Sequence, residues 1–297
     1  MGERTTISWT DRTFNPWWGC ARVSPACRFC YADNTAHRWG KDLWRRHGQR
    51  QMMAAAYWRR PPAWSREAQR AGRPLKVFCA SMADVFERHP EPEANVRLNG
   101  ARERLWSVIE DTPWLRWQLL TKRPENVTAM VPWQPGRWPA NVWLGTSVET
   151  QRYAHQRIPH LLAAGAGTTF LSCEPLLDKL NLSDWLGPRA ERALAARGWM
   201  TPADRDPAGD FARLRGNRYI DWVIAGGESG TQARRTELAW CRSLRDQCAQ
   251  QGVPFFMKQL GTRLARDAGM RGKGEDIHLF PADLRVQQFP REAVPAC

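Results

Sequence analysis

Short apolar runs rich in β-branched and aromatic residues recur at 77–81, 117–121, 142–146, 168–172, 222–225 and 254–258, and most of them end in polar residues. Each has the length and make-up of a buried strand. The stretches between them are long enough for helices. At 96–109, 151–164 and 238–251 apolar positions return every three or four residues, the spacing of an amphipathic helix. An earlier run near 13–17 supplies a first strand. The alternation predicts an α/β fold, a partial or complete parallel (βα) barrel whose strands are joined by crossover helices.

Two stretches break the rhythm. Residues 38–73 hold ten Lys and Arg against Asp42 and Glu67, interleaved with Trp39, Trp44, Tyr57, Trp58 and Trp64. Such a basic, Trp-rich helical insertion either lines a groove that grips phosphates and stacks bases, or is a solvated helix pair whose rings pack inward. Residues 187–218 are rich in Ala, Arg, Gly, Asp and Pro and read as a flexible excursion. The expected organisation is a barrel-like domain over 1–262 carrying both segments, then a tail over 263–297.

Composition adds a soluble, ordered protein: 297 residues, 42% hydrophobic and 25% charged. No apolar run approaches the length of a membrane span, and the first residues lack the apolar core of an export signal. The 44 Lys and Arg against 30 Asp and Glu give +14, which attracts polyanions and makes a nucleic acid or nucleotide the expected partner, although an arginine-rich composition alone would give the same sum. Eight cysteines without an export signal suit a reducing, cytoplasmic setting.

Three of these cysteines, Cys20, Cys27 and Cys30, crowd into one short segment, the last two at a C-x2-C spacing. A structural zinc needs four ligands, and His37 is the candidate fourth. Three thiolates without a fourth suit a [4Fe–4S] cluster that keeps one iron open. The first case implies a non-catalytic nucleic-acid-binding or regulatory protein with a structural metal, the second an enzyme.

Polar residues repeat at the strand ends: Ser81 and Asp84, Lys122 and Arg123, Ser147 and Glu149, Ser172 and Glu174, Glu228 and Ser229, Lys258 and Gln259. In parallel βα architectures such ends converge on one rim, though each cluster could also cap the next helix. Glu174, Glu228 and Lys258 are the candidate catalytic groups. Gly226 and Gly227 would let backbone amides approach an anionic ligand, or simply make a tight turn. Cys79 and Cys173 lie within apolar runs and read as core. No histidine pair and no Ser/His/Asp order points to a hydrolase.

The C-x6-C-x-Phe-C pattern followed by Tyr31 and Ala32 resembles the radical S-adenosylmethionine signature, with a first spacing of six residues where that signature has three. The resemblance implies a [4Fe–4S] cluster on the three cysteines, S-adenosylmethionine on the open iron, Phe29 beside the adenine, and an electron-donor protein. It further implies Ser81 or Asp84 at the methionine amino group, Lys122 or Arg123 at the carboxylate, and Ser147 and Glu149 at the ribose. More narrowly, the chain resembles a phage- and prophage-associated three-cysteine-motif family of unknown function. The residues that carry this likeness include Trp9 to Asp11, Asn15 to Cys20, Cys27 to Ala32, Ser81 to Asp84, Leu120 to Pro124, Gly145 to Glu149, Ser172 to Pro175 and Gly226 to Gly230. A co-encoded partner protein is a further candidate, and the lack of a long apolar run leads us to expect no membrane association.

Overall fold

A computed structural model describes residues 5–187 and 219–290. The proposed excursion, apart from Gly187, lies outside the described residues, as does the end of the tail. The strands are β1 (Arg12–Thr13), β2 (Trp17–Trp18), β3 (Gln51–Met52), β4 (Leu75–Cys79), β5 (Leu115–Thr121), β6 (Val142–Ser147), β7 (Thr168–Cys173), β8 (Trp222–Gly226) and β9 (Phe255–Gln259). The helices are α1 (Tyr31–Arg38), α2 (Arg60–Arg70), α3 (Pro92–Glu110), α4 (Val127–Met130), α5 (Gln151–Ala163), α6 (Leu238–Gln251) and α7 (Thr262–Asp267). Seven strands form one sheet in the order β1-β4-β5-β6-β7-β8-β9, while β2 and β3 pair antiparallel by themselves. The β1–β4, β4–β5, β7–β8 and β8–β9 pairs are parallel, as the βα alternation predicts. Among the described residues the order is linear, with β1 and β9 at its ends, so the expected α/β fold is found in its partial form, without closure into a complete ring.

The chain divides into two compact units, the first made of residues up to 133 with 139–144, the second of 134–138 and 145 onward. In the first, Phe14 is fully buried, stacked on Tyr57 at 5.0 Å and met edge-on by Trp58 and Trp117. The expected first strand is split here. Pro16 has no N–H for a ladder, and the buried Asn15 turns its amide to the Met82 N–H (2.7 Å), so β1 ends at Thr13 and β2 leaves to pair with β3. In the basic segment Trp44, Trp58 and Trp64 are buried, so its rings pack inward, and β3 and α2 stand where a helix pair was expected. Trp39 is the exception, 68% exposed.

The second unit packs Phe170, Trp222 and Phe256 between its strands and helices. Its tail does not stand apart. The Met257 N–H donates to the Val286 carbonyl (2.8 Å), the Gln288 N–H to that of Phe255 (2.9 Å), and the Trp222 indole to that of Gln288 (2.8 Å).

Asp221, at the start of β8, accepts from the Thr169 N–H (2.6 Å), yet burial raises its carboxyl to about 6, above an unfolded value near 3.8. The folded chain therefore holds this proton where the unfolded chain has lost it. The stabilising contribution is complete below pH 4 and is lost as pH rises through 6, by up to about 3 kcal/mol. Urea unfolding of Asp221→Asn is expected to remove that slope between pH 4 and 6; an unchanged slope would assign it elsewhere.

Candidate metal centre

The cysteine loop is built within the first unit, between β2 and α1. Gly19 turns the chain at φ 111°, and a Cβ there would stand 2.8 Å from the Leu43 carbonyl oxygen. Its N–H donates to the Met82 carbonyl (3.0 Å), and that of Cys20 to the Leu43 carbonyl (3.3 Å). Pro25 opens a single helical turn, Pro25–Cys27, where its missing N–H costs nothing. Cys30 then caps α1. All three thiols are free and half-buried. Cys20 and Cys30 pack against a common apolar cluster that includes Trp18, Leu43, Trp44 and Met82.

Ala21, beside Cys20, is held at both backbone groups. Its N–H donates to Glu87 (2.9 Å), and its carbonyl accepts from the Arg123 guanidinium (2.7 Å). Glu87 in turn takes Arg50 through two bonds of 2.8 and 2.9 Å, both side chains being buried. Arg123 pairs with Asp84 (2.9 Å) and donates to the Cys20 sulfur at 3.5 Å. Asp84 also accepts from the Thr121 hydroxyl (2.7 Å) and from the Lys122 and Phe86 N–H groups (3.0 Å each). Burial pushes the Asp84 carboxyl up, but Arg123 and these donors outweigh it and hold the group below the usual carboxylate range.

Burial raises the Cys20 thiol to about 12 against the opposing pull of Arg123, and burial likewise raises Cys30. Cys27 differs. Burial pushes it up too, yet the Lys122 ammonium and backbone groups of Val23 and Ser24 together bring it below the ordinary thiol value. The cations that follow β5 thus bracket the loop, Lys122 acting on Cys27 and Cys30, Arg123 on Cys20.

Among the described residues no three His, Cys, Asp or Glu side chains are grouped to ligate a single ion. His37, the candidate fourth zinc ligand, lies with its Nε2 3.1 Å from the Asp33 carboxylate, one turn back on α1. A [4Fe–4S] cluster makes a different demand, because each cysteine binds its own iron and the sulfurs need not meet at one point. Three free thiols on one pinned loop, with two cations beside them, are a donor set that fits such a cluster.

The other predicted residues of this unit fall as follows. Ser81 shares a hydrogen bond with the Asn15 side chain (3.2 Å), and its carbonyl accepts from the Tyr31 hydroxyl (2.8 Å). Asp84, expected with Ser81 as the alternative at a ligand amino group, is buried and accepts from four protein donors, the Arg123 guanidinium among them. Phe29 is half-buried under the Arg28 guanidinium, 5.2 Å from its ring centre.

In the second unit, Ser147 and Glu149 are both buried. The Ser147 carbonyl and one Glu149 oxygen accept from the same Arg157 nitrogen, at 2.8 Å each, while Glu149 Oε1 is buried without a partner among the described residues. Glu174 and Lys258 form a half-buried pair at 2.6 and 2.7 Å, and the Cβ position of Gly226 lies 3.5 Å from the Glu174 carboxyl carbon. A Cβ on Gly227 would come within 2.2 Å of the Leu260 carbonyl oxygen. The close approach at Gly227 leaves no room for a side chain there. Glu228, an expected proton carrier, is buried and bonded to Arg234 through its backbone N–H and its Nε, both at 2.8 Å, so it holds the following loop.

Sequence reasoning missed Glu87, Arg50, Arg157 and Arg234. Each acts through a partner that no spacing rule couples to it. Asn15 and Tyr31 lie within the motif segments but carried no assigned part.

Comparison with known proteins gives two positive findings. A solved structure of a spore photoproduct lyase mutant with bound AdoMet and dinucleoside spore photoproduct is similar at a TM-score of 0.37 and 14% identity, over 84% of this chain. This chain spans 65% of that one. No curated protein matches. The model of a protein family of unknown function, DUF5131, matches residues 4–281, and the chain belongs to that family.

Proposed function

We propose that this chain is an iron–sulfur enzyme that takes a [4Fe–4S] cluster on Cys20, Cys27 and Cys30 and uses S-adenosylmethionine to start radical chemistry. The observation that carries the reading is the loop of three free, half-buried thiols, pinned at Ala21 and bracketed by Lys122 and Arg123. When bound, cluster and cofactor would supply cleavage of the sulfonium S–C5′ bond by one electron from an external donor protein, leaving methionine and a 5′-deoxyadenosyl radical that takes hydrogen from substrate.

The residues of the chain have separable tasks in this reading. Lys122 and Arg123 favour the thiolate forms by their charge. Asp84 keeps Arg123 in place, and Glu87 with Arg123 fixes the backbone beside Cys20. Trp18, Leu43 and Met82 keep water from Cys20 and Cys30. In the second unit, the unsatisfied Glu149 oxygen is a site for a hydroxyl donor, for which a ribose is our candidate. Glu174 and Lys258, bonded to each other and partly open to solvent, are the pair best suited to exchange a proton.

The test is anaerobic reconstitution with iron and sulfide, then incubation with S-adenosylmethionine and dithionite. The expected result is about four irons per chain and release of methionine and 5′-deoxyadenosine. One tightly held zinc, with no cleavage, would overturn the reading in favour of a structural metal.

A further inference from the structure

Directly after Cys30, α1 leads away from the cysteine loop with an exposed aromatic ring at each end. Tyr31 is 46% exposed, its ring steadied by the hydroxyl bond to the Ser81 carbonyl, and Trp39, just past the last turn, is 68% exposed. Large rings left in water are uncommon in a unit that buries most of its other tryptophans, and each presents a face on which a planar group can stack.

A cleft of about 450 Å³ opens beside α1, with Arg22, His37, Trp44, Arg45 and Arg46 among its walls. Two aspartates share it, but both are already paired: Asp33 with Arg22 (2.7 Å), Asp42 with Arg45. Arg46 has no ion-pair partner among the described residues. The cleft thus carries a surplus guanidinium on a wall that already holds two others, the arrangement that receives a phosphate oxyanion. Trp39 lies in the chain between the wall residues His37 and Asp42, which keeps its exposed ring within a few residues of the cleft.

We propose that this surface, the cleft together with the exposed ring of Trp39, binds single-stranded nucleic acid, a backbone phosphate entering the cleft and a base stacking on Trp39. The alternation of cation and ring is what distinguishes this occupant. A duplex keeps its bases stacked inside and has no face to offer Trp39, whereas an unpaired strand presents both phosphate and base within one nucleotide. The overall charge of +14 favours the approach of such a polyanion. In making nucleic acid the substrate class, the proposal rests on the enzymatic reading above; the binding itself does not.

The test is fluorescence anisotropy of a labelled 12-nucleotide single strand, as DNA and as RNA, with the full chain and with Trp39→Ala and Arg46→Ala, all checked for unchanged melting. Each variant is expected to weaken binding about tenfold, in line with the loss of one stacked base or one charged contact. Arg46→Ala should also lower the salt dependence by about 0.7 in log–log slope. The duplex of the same sequence is expected to compete poorly. Heparin competing as well as the single strand, with no effect of Trp39→Ala, would reduce the surface to a general polyanion attractor and overturn the proposal. Binding to phosphatidylserine vesicles in place of oligonucleotide would overturn it too. Cys27→Ala, measured in parallel, separates the two readings: binding retained without a cluster supports this surface whatever the fate of the enzymatic assignment.

Discussion

Glu87→Ala is expected to destabilise the first unit by about 3–5 kcal/mol, the cost of leaving a buried cation without its partner. Arg50 is the cation, with a side chain 2% exposed against 1% for Glu87. The guanidinium also donates to the Gly48 carbonyl (2.6 Å), so it cannot swing out to water without breaking the turn that follows Arg45. The same substitution removes the acceptor for the Ala21 N–H. Urea unfolding followed by tryptophan fluorescence reads the stability, and hydrogen exchange at Ala21 reads the local loosening. Glu87→Gln, which keeps an acceptor and most of the shape, should recover part of the loss. A change below about 1 kcal/mol for the alanine variant, the scale of an exposed pair, would show that the network does not bear on the fold.

Cys27→Ala should have the opposite profile, little change in stability and a collapse of the chemistry. The side chain is half-buried, and the thiol's contacts with the Ser24 hydroxyl at 3.8 Å and with the Val23 and Ser24 backbone are weak, so melting should move little. Iron content should fall from about four per chain to a trace. Cleavage of S-adenosylmethionine should drop by more than about 100-fold, beyond the effect of losing a supporting partner of a metal ligand. Cys241→Ala, at a buried position in α6, should keep its iron. Undiminished cleavage by Cys27→Ala would remove the cluster from this loop.

Much of the fold was legible because most of the longer strands carry a short, mainly apolar run. Where polar residues enter, the boundaries moved: β4 and β5 begin two residues before the expected positions, at Leu75 and Leu115, since Lys76 and Arg116 belong to the strands despite their charge. Arg116 does so while buried, by donating to the Pro113 carbonyl (3.2 Å). The three cysteines were visible from spacing alone. The supports around them were not, because Glu87 meets Arg50 across 37 residues and Arg123 meets Ala21 across 102. Such pairings follow from the tertiary fold and leave no local pattern. The same holds for Asp84, Gly227 and Glu228: their positions after strands were legible, but not the pairing of Asp84 with Arg123, of Glu228 with Arg234, or the approach of Gly227 to the Leu260 carbonyl.

The grip on Ala21 bears on how an empty chain becomes a loaded one. One of the three anchors is already set before any iron arrives, because Ala21 beside Cys20 is bonded to side chains at both its N–H and its carbonyl, whereas the next sulfur follows on residues 22–29, whose helical turn bonds locally from the Cys27 N–H to the Ser24 carbonyl. The configurational entropy surrendered on loading then falls mainly on that stretch, and Cys20 serves as the fixed point from which the remaining sulfurs close.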